Sequence, residues 1–274
     1  MEFLKNIDFP EGIAPVDTLL KAAPKDGQPV VLVQQGESET ALEVPAGEEL
    51  TLVEILTGGA HSRFDVLLGE KSRLNHIRIV PEGADTEYRA VQHDLSTLEL
   101  STIVLGGSSE NAYTLDCHQS THTSLFGAAM PQGAEQVKNH IRLYHKKPLG
   151  QSYQTFKYVA DGQSKAVFDG KIIVEKDAQK IQAYQKNNNI LLSSSARIET
   201  DPQLEIYADD VRCSHGATIG QLDQTALFYM RSRGIPYQTA RRMLIRSFMD
   251  EALAGIRIDW LNRAIEKIIS QRLG

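Results

Sequence analysis

Short runs of apolar residues, many alternating with polar ones, follow one another from about residue 28 to residue 220. Examples are QPVVLVQQ, ELTLVEILT, FDVLLGE, LNHIRIVPEG, STLELSTIVLGG and KIIVEKDAQKIQAY. Gly, Asn, Asp and Pro bound these runs, and none of them has the period of an amphipathic helix. The pattern predicts a large all-β domain, for which a sandwich, a barrel and a β-helix are the candidate architectures.

The turns between the runs favour a β-helix among these three. Their lengths vary, and few contain the Asn-Gly or Asp-Gly pair that antiparallel hairpins prefer. Two polar triplets, three Asn at 187–189 and three Ser at 193–195, flank short apolar runs, and we expect both at corners of stacked coils. The six-residue repeat of left-handed β-helices is absent. We predict a mainly β fold, with a lead-in at residues 1–27 and a parallel β-helix over residues 28–221.

The apolar period changes near residue 222, after which three helices are predicted. Asp223 is an N-cap for QTALFYMRSR, and Gly234 ends that helix. In the next segment, opened by Pro236, four apolar residues fall at helical spacing: Ala240, Met243, Leu244 and Phe248. The last segment has an apolar stripe of Leu261, Ala264, Ile265, Ile268 and Ile269. Residues 222–274 therefore form a small α-helical domain, which either packs on itself and the last coil or docks a partner.

Composition and charge disfavour several classes of protein. The net charge of −6 at pH 7 argues against a nucleic-acid partner, because phosphate binding needs a positive surface. No apolar run approaches the ~20 residues of a membrane helix, and the opening MEFLKNIDFPEG lacks the basic start and apolar core of a secretory signal. Cys117 and Cys213 are the only cysteines, so one bridge is an open alternative, but a reducing cytoplasm fits best.

The stretch ADDVRCSHGATIG, residues 208–220, places a cysteine and a histidine on one face of a predicted strand. Residues i and i+2 share a face, so Cys213 and His215 point one way while Arg212 and Ser214 point the other. Thiolate and imidazole can ligate one soft or borderline metal ion, but Zn²⁺ or an iron–sulfur species needs about four ligands. The pair is either part of a site that another strand or subunit completes, or a buried cysteine beside a histidine bonded to a backbone carbonyl.

A second candidate metal site lies in DCHQSTHTSLFG, where Cys117, His118 and His122 are close in sequence. His118 and His122 share a face in a strand or a helix, whereas Cys117 and His118 face opposite sides of a strand. These residues define an alternative hypothesis, a metal-dependent enzyme built on the β-helix. His140 and His145, five residues apart on opposite strand faces, are interpreted as unpaired surface or corner residues.

Sequence templates for catalysis are absent, and the C-terminal segment is locally basic. The chain contains no G-x-S-x-G, G-x-x-x-x-G-K-[ST], H-E-x-x-H or G-x-G-x-x-G motif. Five arginines follow one another without an intervening acid: Arg231, Arg233, Arg241, Arg242 and Arg246. They predict either a solvated helix face or a dock for an acidic partner surface.

The C-terminal third of the chain resembles the SufB/SufD family of iron–sulfur cluster assembly proteins. The motifs that carry the likeness are FDGKIIVEKDAQKIQAYQ, LLSSSARIETDPQLEI, CSHGATIG, LFYMRSRGI and SFMDEAL. HKKPLGQSYQTFKYV, at residues 145–159, extends it upstream, and before about residue 130 the likeness is only architectural. The CSHGAT form looks like the SufD side of the family, because the SufB side has a glutamate in this stretch and additional cysteines.

The resemblance implies a right-handed parallel β-helix followed by a small helical domain, in a non-enzymatic subunit of a cytoplasmic assembly complex. The chain would pair through its β-helix with a SufB-like protein or a second copy of itself, and its C-terminal helices would bind a SufC-type ABC ATPase. The implied partner-binding residues are Phe228, Tyr229, Arg231, Arg233, Gly234, Arg241 and Phe248. Because the partner would complete the site at Cys213 and His215, we expect no tightly bound cofactor in the isolated chain, and transient iron or an iron–sulfur cluster in the complex.

The chain departs from the family at its start. Typical members have a longer helical N-terminal domain, whereas the β region here begins almost at once. We interpret the chain as a short version that lacks this domain, or as a homodimer from an organism with a reduced system.

Overall fold

The fold is a parallel β-solenoid of about seven turns followed by three helices. The computed structural model describes residues 28–273, so the predicted lead-in at residues 1–27 lies outside the described residues. The prediction of a mainly β chain with a parallel β-helix is confirmed. The strands are β1 (Val30–Val44), β2 (Glu49–Leu68), β3 (Arg73–Val80), β4 (Ala84–Gln92), β5 (Thr97–Val104), β6 (Ser109–Cys117), β7 (His122–Ala129), β8 (Gln136–His145), β9 (Gln151–Ala160), β10 (Lys165–Val174), β11 (Gln182–Leu191), β12 (Arg197–Ile206) and β13 (Arg212–Gln221).

Successive strands alternate between two faces of the solenoid. The even-numbered strands run in the order β2-β4-β6-β8-β10-β12, and the odd-numbered strands run β3-β5-β7-β9-β11-β13. Strand β2 joins the faces, because its first half pairs with β3 and its second half with β4. Gly58 and Gly59, between the halves, have φ of +66° and +67°, which glycine adopts without steric cost.

The inward positions of both faces form one core that runs through the solenoid. Strands β4 and β6 alternate strictly between buried and exposed residues, as expected when one face of each strand is buried. Large side chains such as Phe64, Tyr88 and Phe168 fill the interior, where removal of apolar surface from water stabilises the fold. The corner prediction for residues 187–189 is wrong. They lie within β11, and Asn187 and Asn189 are buried in the interior because alternate residues of a strand point inward.

The three helices are α1 (Gln224–Ser232), α2 (Tyr237–Leu253) and α3 (Asp259–Arg272). Asp223 is confirmed as the N-cap of α1, because its carboxylate accepts hydrogen bonds from the backbone N–H groups of Thr225 and Ala226. Within residues 28–273, no helix has both the length and the hydrophobicity needed to cross a bilayer.

The helices pack along the odd-numbered face of the solenoid. Their apolar side chains form a second core with the outward side chains of that face, including Ile77, Ile79 and Ile103. Ile190 of β11 and Leu222, which directly follows β13, belong to the same core, so the helices contact the last coils as one part of a longer interface. The prediction that Met243 lies on the apolar face of its helix is wrong, since its side chain is 51% exposed. Ile245 and Met249 are buried on that helix instead, because they face the sheet.

Charged contacts fix the helices along this face. Lys157 of β9 donates to the carbonyl of Phe248 at 2.9 Å and contacts the Glu251 carboxylate at 2.8 Å. Arg241 pairs with Asp161 at 3.1 Å, and Arg272 pairs with Glu135. This seam between the helices and the solenoid runs along the side of the solenoid, so residues 28–273 leave the end formed by β12 and β13 uncovered.

Candidate functional site

The C-terminal end of the solenoid carries two unpaired strand edges. Strand β12 pairs with β10 and β13 pairs with β11, and among residues 28–273 neither has a neighbour on its other side. Their inward side chains are consequently accessible: Ile206 and Ile219 project from the last turn and are exposed, although the residues one turn earlier are buried. Unpaired edges with exposed apolar side chains are the features by which sheets recruit another chain.

Cys213 and His215 lie on the inward face of β13, as predicted. They are in register with Ala183 and Gln185 of β11, both of which are buried in the interior. Cys213 is half-buried against the core, and His215 is exposed at the open end. Burial raises the pKa of the Cys213 thiol above its usual value, and a backbone hydrogen bond from Ala183 opposes that rise. The structure therefore brings thiol and imidazole side by side on the same face of the edge strand.

A ladder of side-chain amides leads to His215 through the interior. Gln154 of β9, Gln185 of β11 and His215 of β13 occupy the same inward position in successive turns. The Nε2 group of Gln185 donates to Oε1 of Gln154 at 2.8 Å. Oε1 of Gln185 is buried and has no hydrogen-bond partner among residues 28–273. These glutamines are not among the residues predicted from the sequence, although their alternation with other residues along each strand is a signal of inward placement.

Cysteine, histidine, aspartate and glutamate side chains do not gather into a metal site within the described chain. Among residues 28–273, no group of three or more of them could hold an ion. The pair at Cys213 and His215 thus offers two ligands, fewer than the four that a zinc or iron–sulfur centre requires. Both cysteines are free thiols.

The residues of the alternative metal site, Cys117, His118 and His122, diverge in the structure. They surround the turn from β6 to β7, strands that belong to opposite faces of the solenoid. Sγ of Cys117 points into the interior, 3.5 Å from Oε1 of Gln92, and burial raises the pKa of the thiol to about 12. His118 packs edge-on against His93, and His122 packs against Tyr153. A thiol so strongly held in its protonated form is a poor ligand.

His140 and His145 are not the unpaired residues that the sequence analysis predicts. His145 is fully buried, its Nε2 lies 2.9 Å from the Ser152 hydroxyl, and burial lowers its pKa to about 4. His140 is on the outward face, with Nδ1 3.1 Å from the Asp169 carboxylate. Their opposite faces are confirmed, but both side chains have partners.

An exposed aromatic surface surrounds the turn between α1 and α2. Phe228 is 72% exposed, and Tyr229 and Tyr237 are exposed beside it. The guanidinium groups of Arg233 and Arg231 lie over the rings of Tyr229 and Tyr237, at 5.3 Å and 5.7 Å from the centroids. We call this group the aromatic turn; it consists of Phe228, Tyr229, Arg231, Arg233, Gly234 and Tyr237.

Two of the predicted partner-binding residues face the solenoid instead of solvent. Arg241 pairs with Asp161, and Phe248 packs under the Lys157 ammonium group at 4.6 Å from the ring centroid. Arg246 is also paired, with Asp250 at 2.7 Å and Glu266 at 3.0 Å. Helix packing thus turns Arg241 and Arg246 toward acids, so the five arginines do not form one unpaired basic surface. Tyr237 of the aromatic turn was missed.

Comparison with known proteins identifies the family. The family model for the SUF-system FeS cluster assembly SufBD core domain matches residues 32–248. The chain is 34% identical over 245 residues to the iron–sulfur cluster assembly protein SufD of Escherichia coli, which covers 85% of this chain and 58% of that protein. It is 35% identical to a SufBD family protein of Synechocystis sp. (76% of this chain, 47% of the relative) and 33% identical to the chloroplastic protein ABCI7 of Arabidopsis thaliana (77% and 47%). The chain thus spans roughly half the length of these curated relatives, and it belongs to the SufBD family of iron–sulfur cluster assembly proteins.

Proposed function

We propose that this chain is a SufD-like subunit of a SUF assembly complex, pairing through the open end of its solenoid with a SufB-like chain. The observation that carries the proposal is the uncovered last turn, where Cys213 and His215 lie on the inward face of β13, beside its unpaired edge. A second chain seated on this end would bury the exposed apolar side chains and supply the missing ligands.

The two edges at this end differ in how readily they accept another strand. Strand β12 carries Arg197, Glu199, Asp201 and Glu205 and contains Pro202, which lacks a backbone N–H. Charges and proline are the devices that protect edges from pairing. Strand β13 has no proline, and Arg212 at its start is its only permanently charged residue. The partner strand is therefore expected on β13, beside Cys213 and His215.

The aromatic turn is proposed as the dock for a SufC-type ABC ATPase. Large exposed aromatic rings stacked with arginines are enriched at the centres of protein interfaces. Their preformed stacking reduces the side-chain entropy lost on binding. Arg241 and Phe248, which face the solenoid, would support this surface from behind.

Cys213 and His215 are proposed to contribute to iron acquisition and nascent cluster assembly at the subunit interface. Iron or the cluster is the cargo of this site. The partner's ligands would complete the site, and the isolated chain is not expected to bind the cargo tightly. We propose no catalytic activity for the chain itself.

Copurification of the tagged chain with the SufB-like protein and the SufC-type ATPase of its own organism tests the pairing. Ile219→Lys places a charge on the open end and is expected to abolish retention of the SufB-like chain. Leu95→Lys is the matched control, because Leu95 has similar exposure, 49% against 45%, and lies in a turn remote from that end. Retention of the SufB-like chain by the Ile219 variant would contradict the proposed interface. If the tagged chain instead elutes with the mass of two copies of itself, the partner is a second copy and the proposed SufB-like pairing is wrong.

The ATPase dock is tested separately by Phe228→Ala. Deletion of residues 222–274 is unsuitable, because it would expose the apolar outward side chains of the odd-numbered face. The Phe228 variant is expected to lose the ATPase and keep the SufB-like chain. Tyr207→Ala removes a ring of comparable exposure, 62% against 72%, directly after β12, and is expected to keep the ATPase. Unchanged ATPase retention by the Phe228 variant would exclude the aromatic turn as the dock.

A further inference from the structure

We propose that Gln185 orients the imidazole of His215 for metal binding by accepting a hydrogen bond from one of its ring N–H groups. The inference rests on the proposed role of Cys213 and His215 as ligands. It assigns Gln185 a positioning role, since its amide would act through His215 and not on the metal.

The geometry of the amide ladder points the acceptor toward His215. Strands in a sheet are about 4.8 Å apart, so in-register side chains on one face lie within hydrogen-bonding reach of one another. The Nε2 group of Gln185 is directed to the preceding turn, where it bonds Gln154. The oxygen on the other side of the same planar amide is therefore available to the following turn, in which His215 holds the register position.

The oxygen of Gln185 needs a donor that residues 28–273 do not supply in the single chain. Gln185 is 1% exposed, so water does not readily satisfy its Oε1 atom. Buried amide oxygens are almost always hydrogen-bonded, and a carbonyl left without a donor destabilises the fold. On the inward face of β13, Cys213 lies opposite Ala183 and Ala217 lies opposite Asn187, which leaves His215 as the in-register donor.

A hydrogen bond to Gln185 would prepare His215 for coordination. Histidines that ligate metals almost always donate their second ring N–H to an acceptor, which fixes the tautomer and the ring orientation. In the single chain His215 is exposed and this bond is not made. A partner that covers the open end would press the ring inward over Gln185, leaving the other ring nitrogen free to bind the metal ion beside the Cys213 thiolate.

The test measures Co²⁺ binding by the copurified complex, using the thiolate-to-Co²⁺ absorption band as the signal. Gln185→Met keeps the side-chain volume but removes the acceptor, and is expected to weaken Co²⁺ binding about 10–100-fold. Gln185→Glu retains an acceptor oxygen and is expected to restore binding to within a few-fold of the wild type. Asn189→Leu is the matched control, because it removes a buried amide from the same strand opposite Ile219 instead of His215. It should leave the affinity unchanged.

The outcomes separate this inference from the proposed function. If Cys213→Ser and His215→Ala abolish the Co²⁺ band but Gln185→Met binds as well as the wild type, the positioning role is overturned and the site stands. If those two ligand variants leave the band unchanged, the metal site itself is wrong. Should Gln185→Met not fold, Gln185→Asn replaces it, since it keeps the amide but withdraws the oxygen by one methylene, and the same direction of loss is expected. Equal loss in Asn189→Leu would also overturn the inference, because it would show a general effect of interior amides.

Discussion

The first turns and the last turn of the solenoid both place polar side chains on the inward face, but they pair them differently. In the first turns, Arg78 bonds Glu54 at 2.6 Å and His76 lies 3.2 Å from the same carboxylate, and all three side chains are fully buried. Burial alone would raise the pKa of Glu54, but Arg78 and His76 outweigh it and hold this pKa at about 2. At the last turn, Cys213, His215 and the buried oxygen of Gln185 have no such side-chain partners among residues 28–273. Polar groups paired inside the chain stabilise the fold, whereas unpaired groups at an open end are available for binding.

The largest effect on stability is expected when an ion-pair partner is removed from the interior of the first turns. Arg78→Met leaves the Glu54 carboxylate buried with one counter-ion fewer, and is expected to lower the free energy of unfolding by about 3–5 kcal/mol. Urea denaturation at neutral pH measures this loss. Arg73→Met is the control, because Arg73 pairs with Glu49 on the surface and both side chains are about two-thirds exposed, so little change is expected. If the two variants are equally stable, the buried pair contributes no more to the free energy of unfolding than the surface pair does.

The pH dependence of the free energy of unfolding tests the comparison at His145, which is buried in the interior and has no ionic partner among residues 28–273. Its folded pKa of about 4 lies below the ordinary 6.5, so the unfolded chain binds the proton first as the pH falls. Stability is therefore lost as the pH drops from about 6.5 to 4, by about 3 kcal/mol from this residue. His145→Gln should flatten the profile in that window. Parallel profiles for wild type and the His145 variant would contradict the assignment.

A smaller effect is expected at the seam between the solenoid and the helices. Lys157→Met removes the contacts to Glu251 and to the Phe248 carbonyl, and is expected to cost about 1–3 kcal/mol, seen as a lower melting temperature. Hydrogen exchange should increase in α2. Lys186→Met is the control, because Lys186 reaches the same Glu251 carboxylate at 3.7 Å from an exposed position. The seam is structurally unimportant if both variants melt together with the wild type.

The smallest effect on stability is expected at the open end, together with the largest effect on function. Cys213→Ala and His215→Ala should change the free energy of unfolding by no more than about 0.5 kcal/mol, since both residues are at an uncovered edge. Complex formation should persist, but iron–sulfur enzyme activity in cells that depend on this chain should fall. Ser214→Ala, on the opposite face of the same strand, should retain that activity. Normal activity in both ligand variants would indicate a purely structural chain.

The sequence was sufficient to predict a region of many strands and a change from strands to helices near residue 222. Both predictions depend on apolar periodicity and turn residues, which are local signals. Asp223 is an example, since a cap depends on the next three residues. The side of the strand that faces inward was harder to predict at polar positions such as Gln154, Gln185 and Asn187. An amide in an alternating pattern resembles a solvent-facing residue, and only the stacking of turns shows that these amides bond one another inside.

The candidate site was predictable only as a pair of residues on one face. Spacing places Cys213 and His215 together, but the open end depends on where the helices dock. Tertiary packing decides where the helices dock, because α2 buries Ile245 and Met249 against the odd-numbered face and leaves Met243 in solvent. The same packing turns Arg241 to Asp161, which no local pattern indicates. The separation of Cys117 from His118 and His122 likewise follows from the turn joining opposite faces.

The position of the open end along the chain also orders events during synthesis. A solenoid is held together by contacts between neighbouring turns, so early turns can consolidate while later ones are still being made. The buried pairs around Glu54 belong to the second and third strands, whereas β13, with its unpaired edge, leaves the ribosome after the other described strands. The nascent chain therefore exposes this edge only after the preceding turns have emerged, which would limit pairing of the edge with neighbouring nascent chains on one messenger RNA.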